Sequence, residues 1–178
     1  MRKGMFIAVA VVGVVVASAV ATGAQNKAER LERGRYLVSI AGCHDCHSPK
    51  SDAMMTPDAT RLLSGRPATT LPPTQGVSEI RASLDFTAFA GPWGNSYAAN
   101  LTPDLETGIG ARYNETAFIK TIRTGKKPEG EALAPPMPWN VYSKMTDEDL
   151  KAVFAYLRTL PPVKNFVRAS PAPVRTQH

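Results

Sequence analysis

Five consecutive residues, Cys43-His44-Asp45-Cys46-His47, constrain this chain more than any other feature of it. They read C-x-x-C-H, the pattern by which a c-type haem is attached covalently. The spacing has a chemical reason. Two thiols three positions apart project from about one helical turn. They can add to the two vinyl groups on adjacent edges of a porphyrin, and the next residue brings an imidazole beneath the iron. Cys43 and Cys46 are therefore the expected covalent attachment points of one haem c, and His47 the expected first axial ligand.

Other uses of two cysteines fit less well. A disulfide closing two intervening residues gains little chain entropy, and such pairs are typically reactive. A thioredoxin-like oxidoreductase would want a βαβ pattern, which this sequence lacks. A closed zinc site needs four good ligands, whereas the whole chain holds two Cys and three His, one of them the terminal His178. His44 occupies a variable position of the motif and is expected on the solvent side.

Histidine is spent, so the second axial ligand is expected from the six methionines. Met1 and Met5 are in the leader. Met145 suits an apolar staple at a helix start. Met54 and Met55 follow His47 too closely to reach easily around a porphyrin. Met137 lies in Pro135-Pro136-Met137-Pro138, where successive prolines fix φ and block helix. A stiff segment can hold a thioether against iron with little entropy left to lose, which makes Met137 the expected ligand.

The beginning of the chain reads as an export signal. Arg2 and Lys3 precede an apolar run from Phe6 to Val20. Thr22 and Ala24 suit a signal peptidase, with Gln25 as the mature start and Ala19 and Ala21 as a second cut. An uncleaved anchor facing the periplasm is the alternative, although the run is short for a span of about 20 residues. With no Cys near the cut, a lipoprotein is not expected. The expected organisation is residues 1–24 signal peptide, 25–162 one haem domain and 163–178 a flexible proline-rich tail, located in the periplasm. The formal net charge is +6, two units of it from Arg2 and Lys3. The basic residues are scattered without a stripe or a motif, so nucleic acid is not an expected partner.

Local signals place several helices. Residues 28–41 read as a helix ending at Gly42, with Leu31, Leu37, Val38 and Ile40 as its apolar residues. Gly34 is costly inside a helix and makes sense where another helix crosses closely. Fifteen prolines and thirteen glycines imply long loops. The stretch from Ser48 to about Arg112 is expected to be loop, with one short helix near Arg81 to Phe89. Asn114 can cap a helix running to Thr124, stopped by Gly125. Thr146 and Asp149 fit a capping box, with Met145 and Leu150 as its staple. Leu150, Val153, Phe154, Leu157 and Leu160 follow at helical spacing until Pro161-Pro162.

Beyond the attachment motif, the chain contains Leu63-Ser64-Gly65-Arg66, Asn100-Leu101-Thr102-Pro103-Asp104, Thr107-Gly108-Ile109-Gly110, Ile122-Arg123-Thr124-Gly125 and Pro136-Met137-Pro138. With the helix through Ala155-Tyr156-Leu157, these resemble class I cytochrome c, and more narrowly the haem domains in cytochrome subunits of alcohol, aldehyde and gluconate dehydrogenases. The resemblance spans about Arg33 to Pro161. It implies an all-α fold of few helices wrapped around one haem. The first and last helices would cross near Gly34 and the Phe154–Tyr156 turn, with His47 and Met137 as axial ligands. Trp93, Asn100, Arg123 and Trp139 are candidate donors to the haem propionates, with packing or loop bracing as their alternative role. Such subunits often carry two or three C-x-x-C-H motifs and this chain has one, which suits a free-standing carrier.

The function these residues imply is single-electron transfer between redox proteins, without a catalytic residue of its own. The expected partners are a dehydrogenase, a quinol-oxidising complex or a terminal oxidase, with a membrane only if the leader stays attached. The competing readings are a haem enzyme or gas sensor with an open sixth site, and a haem-free disulfide oxidoreductase.

Overall fold

The structure, a computed structural model, describes residues 25–52, 55–69 and 80–168. The expected signal peptide and Met54 lie outside the described residues. Among the described residues, five helices and one small sheet make up the regular structure. Helix α1 is helical from residue 25 to residue 40. A turn at Ala41-Gly42 leads straight into α2 (Cys43–His47), and Gly42 has a φ of 67°, a conformation glycine adopts without steric cost. Helix α3 is Glu115–Thr124, α4 is Trp139–Tyr142 and α5 is Asp147–Leu157.

The predicted ends of α3 and the predicted start of α5 hold, whereas α5 stops at Leu157, short of the expected Pro161. Asn114 Oδ1 accepts from Ala117 N–H at 2.8 Å, and Gly125 closes α3 with a φ of 67°. Thr146 Oγ1 accepts from Asp149 N–H at 3.1 Å to open α5. Each cap satisfies a backbone donor that the helix itself leaves over. The short α4 was not expected.

Helices α1 and α5 cross at Gly34. A Cβ there would stand 2.0 Å from Ala152 O and 2.7 Å from Tyr156 Cβ, so the two backbones are in direct contact. Arg33 Nε donates to Asp149 Oδ1 at 2.9 Å beside the crossing, and Arg30 reaches both Glu115 of α3 and Lys151 O of α5. Leu37 and Val38 of α1 meet Leu150, Val153, Phe154 and Leu157 of α5, with Phe118 and Ile122 of α3 completing the helical part of the core. Ile40, expected in that core, is 62% exposed. The inward stripe of α1 runs through 34, 37, 38 and 41, and position 40 lies on the other side of the helix.

An all-α fold is not what the structure holds. Three antiparallel strands, β1 (Arg81–Ala82), β2 (Ala88–Gly91) and β3 (Gly94–Tyr97), pair in the order β1-β2-β3. They replace the short helix expected near Arg81 to Phe89. The reason is local. Asp85 accepts from Ser83 Oγ, Thr87 N–H and Thr87 Oγ1, which draws the chain into a turn, and Phe86 adopts a φ of 56° that no α-helix contains. Gly91 and Gly94 then pair across a two-residue hairpin turn, with the Trp93 ring folded over Gly91.

The segment after α5 is pinned at its start. Val163 N–H donates to Thr102 Oγ1 at 3.1 Å and Asn165 N–H to Thr107 Oγ1 at 3.0 Å. No helix among the described residues is long and apolar enough to cross a membrane.

Candidate functional site

The C-x-x-C-H residues form α2 itself, so one helical turn carries both thiols and the imidazole, as their spacing requires. Cys43 and Cys46 are not in a disulfide, and both are partly buried. Burial pushes the Cys43 thiol up to about 11, helped by Cys46 and Asp45, and pushes the Cys46 thiol up as well. A thiol working in disulfide exchange needs the opposite, a lowered value that supplies thiolate at neutral pH.

His47 is oriented from its far side. Its Nδ1 lies 2.8 Å from Ala99 O. A carbonyl can only accept, so Nδ1 carries the proton and Nε2 keeps its lone pair for a metal. Burial lowers the His47 pKa, which favours the neutral ring. The Ala99 carbonyl is itself held in place. Gly65 has a φ of 76°, and a Cβ on it would stand 2.6 Å from Ala99 C and 2.7 Å from Ala99 O. Gly65 N–H donates to His47 O at 2.8 Å, Arg66 N–H to Ala98 O at 3.0 Å and Leu101 N–H to Leu63 O at 2.8 Å. Two backbone segments, 63–66 and 98–101, thus form a wall behind His47.

His44 is not on the solvent side. It is half-buried, with Nδ1 2.9 Å from Ser48 Oγ, and that hydroxyl also accepts from Leu63 N–H. The motif's variable position therefore helps tie α2 to the wall.

Met137 is partly buried and packs on the same hydrophobic core as Cys43, Tyr142 and Leu101. The Pro135-Pro136 peptide before it is cis. Trp139 N–H donates to Met137 O at 2.9 Å, and Tyr142 Oη donates to Ala41 O at 2.5 Å, joining α4 to the turn just before Cys43. Met55 lies half-buried with a φ of 66°, and Met145 packs against the core, as a staple would.

The four candidate propionate donors each have partners within the protein. Asn100 spends its amide on the loops: Oδ1 accepts from Thr102 N–H and Oγ1, and Nδ2 donates to Thr107 Oγ1 and Val163 O. Arg123 pairs with Asp147 at 2.5 Å and also donates to Ser143 O. The Trp139 ring covers Gly125 at the end of α3. Trp93 Nε1 donates to Ser96 Oγ at 3.3 Å, which in turn donates to Pro135 O at 2.5 Å and so links the hairpin to the methionine segment. Beside it Asn95, 3% exposed, leaves Oδ1 without a hydrogen-bond partner among the described residues. Turning that amide over would set its oxygen toward Tyr97 Oη, now 3.4 Å from Nδ2, and leave an N–H group to donate. Two free thiols, an imidazole with its lone pair at Nε2, a thioether on the same core and an unspent buried amide form a donor set that fits haem c.

Sequence reasoning missed Ala99, Gly65, Ser48 and Tyr142. Only Gly65 carried a signal, as part of the Leu63-Ser64-Gly65-Arg66 motif. The Ala99 carbonyl is a backbone atom, and residue type does not reveal it.

No protein-family model matches the chain. It is 33% identical over 129 residues to the fructose dehydrogenase cytochrome subunit of Gluconobacter japonicus, covering 72% of this chain and 21% of that one. It is 30% identical over 157 residues to the alcohol dehydrogenase (quinone) cytochrome c subunit of Gluconobacter oxydans, covering 88% and 27%. With the gluconate 2-dehydrogenase cytochrome c subunit of Pantoea cypripedii it shares 32% identity over 146 residues, covering 82% and 26%. The matched region is about a quarter of the length of these relatives. Across most of its own length, the chain is homologous to one portion of the cytochrome c subunits of fructose, alcohol and gluconate dehydrogenases.

Proposed function

We propose that this chain is a periplasmic electron carrier with one covalent haem c, receiving electrons from a dehydrogenase and delivering them to a further redox protein. Cys43 and Cys46 attach the porphyrin, and His47 and Met137 hold the iron. The observation that carries the reading is the bond from His47 to Ala99 O, which leaves Nε2 as the metal-binding nitrogen. The cytochrome subunits among the relatives support the same role.

When bound, the haem supplies a one-electron iron couple whose potential follows its axial ligands and surroundings. The protein's own part is to hold those surroundings still. Ala99 fixes the ring plane and tautomer of His47. The prolines around Met137 limit the motion of its thioether, and a thioether ligand favours the reduced state relative to a second imidazole. The apolar core under Cys43 and Met137 excludes water from that side. Asn95 stands as a donor for a propionate, while Trp93, through Ser96, and Asn100 and Arg123 brace the loops. The chain is thus a carrier, and the chemistry on substrates belongs to its partner.

The test is expression in a host with intact haem-attachment machinery, followed by a haem stain on a denaturing gel. The expected product is red, stains after boiling and has the mass of one haem added. Its ferric form shows a sulfur-to-iron charge-transfer band, which Met137→Ala abolishes and Met55→Ala leaves intact. A colourless product at the apo mass would overturn the attachment, and a band that survives Met137→Ala would overturn the ligand.

A further inference from the structure

We propose that Asn165, beyond the last helix, is a positioning residue for His47, through a clamp on the wall that holds the Ala99 carbonyl. The inference rests on the reading of His47 as an iron ligand.

Three contacts make the clamp. Asn165 Nδ2 donates to Ser64 O at 2.7 Å and to Arg66 O at 2.8 Å, and Oδ1 accepts from Ala68 N–H at 3.2 Å. Ser64 and Arg66 are the neighbours of Gly65 on either side. One side chain therefore grips both flanks of the residue whose N–H binds His47 O and whose bare Cα lies against the Ala99 carbonyl. The same short strap reaches the other half of the wall. Asn165 N–H binds Thr107 Oγ1, which also accepts from Asn100 Nδ2, and Asn100 sits next to Ala99. Val163 O accepts from Asn100 Nδ2 at 2.8 Å, and Val163 N–H donates to Thr102 Oγ1. The segments 63–66 and 98–101 share two backbone hydrogen bonds of their own, and the strap ties each of them from outside.

A hydrogen bond from Nδ1–H to a carbonyl increases the basicity of the ring's other nitrogen. A basic ligand stabilises ferric iron. The strength of the His47–Ala99 bond thus bears on the potential, and the stillness of the acceptor bears on that strength. Removing the clamp frees Gly65 to move away from Ala99. The bond then opens more often, the ligand becomes less basic, and the potential rises.

The experiment uses the haem-loaded protein, wild type and Asn165→Ala, with Asn165→Leu as a variant that keeps the volume and removes the hydrogen bonds. The control is Thr146→Ala, which removes the cap of α5 and touches neither wall segment. Hydrogen exchange of His47 Nδ1–H in the reduced protein and the midpoint potential are measured together with Tm. Three lost hydrogen bonds, each with a modest net contribution, give exchange faster by roughly tenfold or more in both Asn165 variants. Their potential rises, whereas Thr146→Ala lowers Tm and leaves exchange and potential at the wild-type values. Wild-type exchange and potential in Asn165→Leu would overturn the proposal and reduce Asn165 to a structural strap. A wild-type protein whose His47 ring protons show no paramagnetic shift in the ferric state would overturn the ligand reading beneath it, a result distinct from the first.

Discussion

Replacing Gly34 by alanine sets two effects of opposite sign against each other. Helix propensity alone favours the change by about 1 kcal/mol, since glycine is a poor helix former. The crossing with α5 opposes it. The added Cβ would stand 2.0 Å from Ala152 O, whereas carbon and oxygen in favourable contact lie about 3.3 Å apart. The helices must therefore separate by about 1.3 Å, and the obstacle is backbone, which cannot turn aside as a side chain can. Forced overpacking costs about 1–3 kcal/mol, and a backbone obstacle belongs at the upper end. The separation also loosens Leu37 and Val38 from Val153 and Phe154. The net expectation is a loss of about 2 kcal/mol, or a Tm lower by about 6–10 °C for a domain of this size. Thermal unfolding of the haem-loaded protein, followed by far-ultraviolet circular dichroism, reads this directly. A Tm that rises by a few degrees would show that propensity dominates and that the close crossing does not constrain the fold.

Two further changes test the loops and caps. Asn114→Ala removes the side-chain acceptor of Ala117 N–H at 2.8 Å and should cost about 1 kcal/mol, measured by urea unfolding at neutral pH; an unchanged midpoint would show that solvent replaces the cap at no cost. Asp104 accepts from Glu106 N–H, Thr107 N–H and Thr107 Oγ1, and the bonds to Thr107, strongest of these, hold its carboxyl below the ordinary range. The folded protein then binds that proton less readily than the unfolded chain, so the contribution of Asp104 is complete above the ordinary carboxylate range and is lost as pH falls from there through the lowered folded value. Asp104→Asn should flatten the acid limb of the stability profile, and a limb of unchanged steepness would remove Asp104 from the account.

Much of the helical framework was readable because its signals are local. Asn114 and Gly125 delimit α3 within one turn of their own positions, and Thr146 opens α5 in the same way. The hairpin was not readable. Residues 81–97 lie in a stretch dense in turn formers, and β2 becomes a strand because Asp85 and Phe86 turn the chain back onto β1. Asn100 and Arg123 carry groups suited to an anion, and only folding shows that Val163, Ser143 and Asp147 are their partners within the protein.

Sequence by itself determined that two thiols and an imidazole would stand together, because residues within one helical turn need no distant partner to be adjacent. It also showed that Gly34 and Met137 were unusual places for a glycine and a methionine. Only the tertiary structure decided what they face: Ala152 across from Gly34, and a core shared with Cys43 beside Met137. The tautomer of His47 belongs with these. Its proton is placed by a carbonyl 52 residues away, which Gly65 and Asn165 hold, and backbone acceptors have no signature in residue type. What a residue can do is written in its side chain, and what it meets depends on where the rest of the chain is folded.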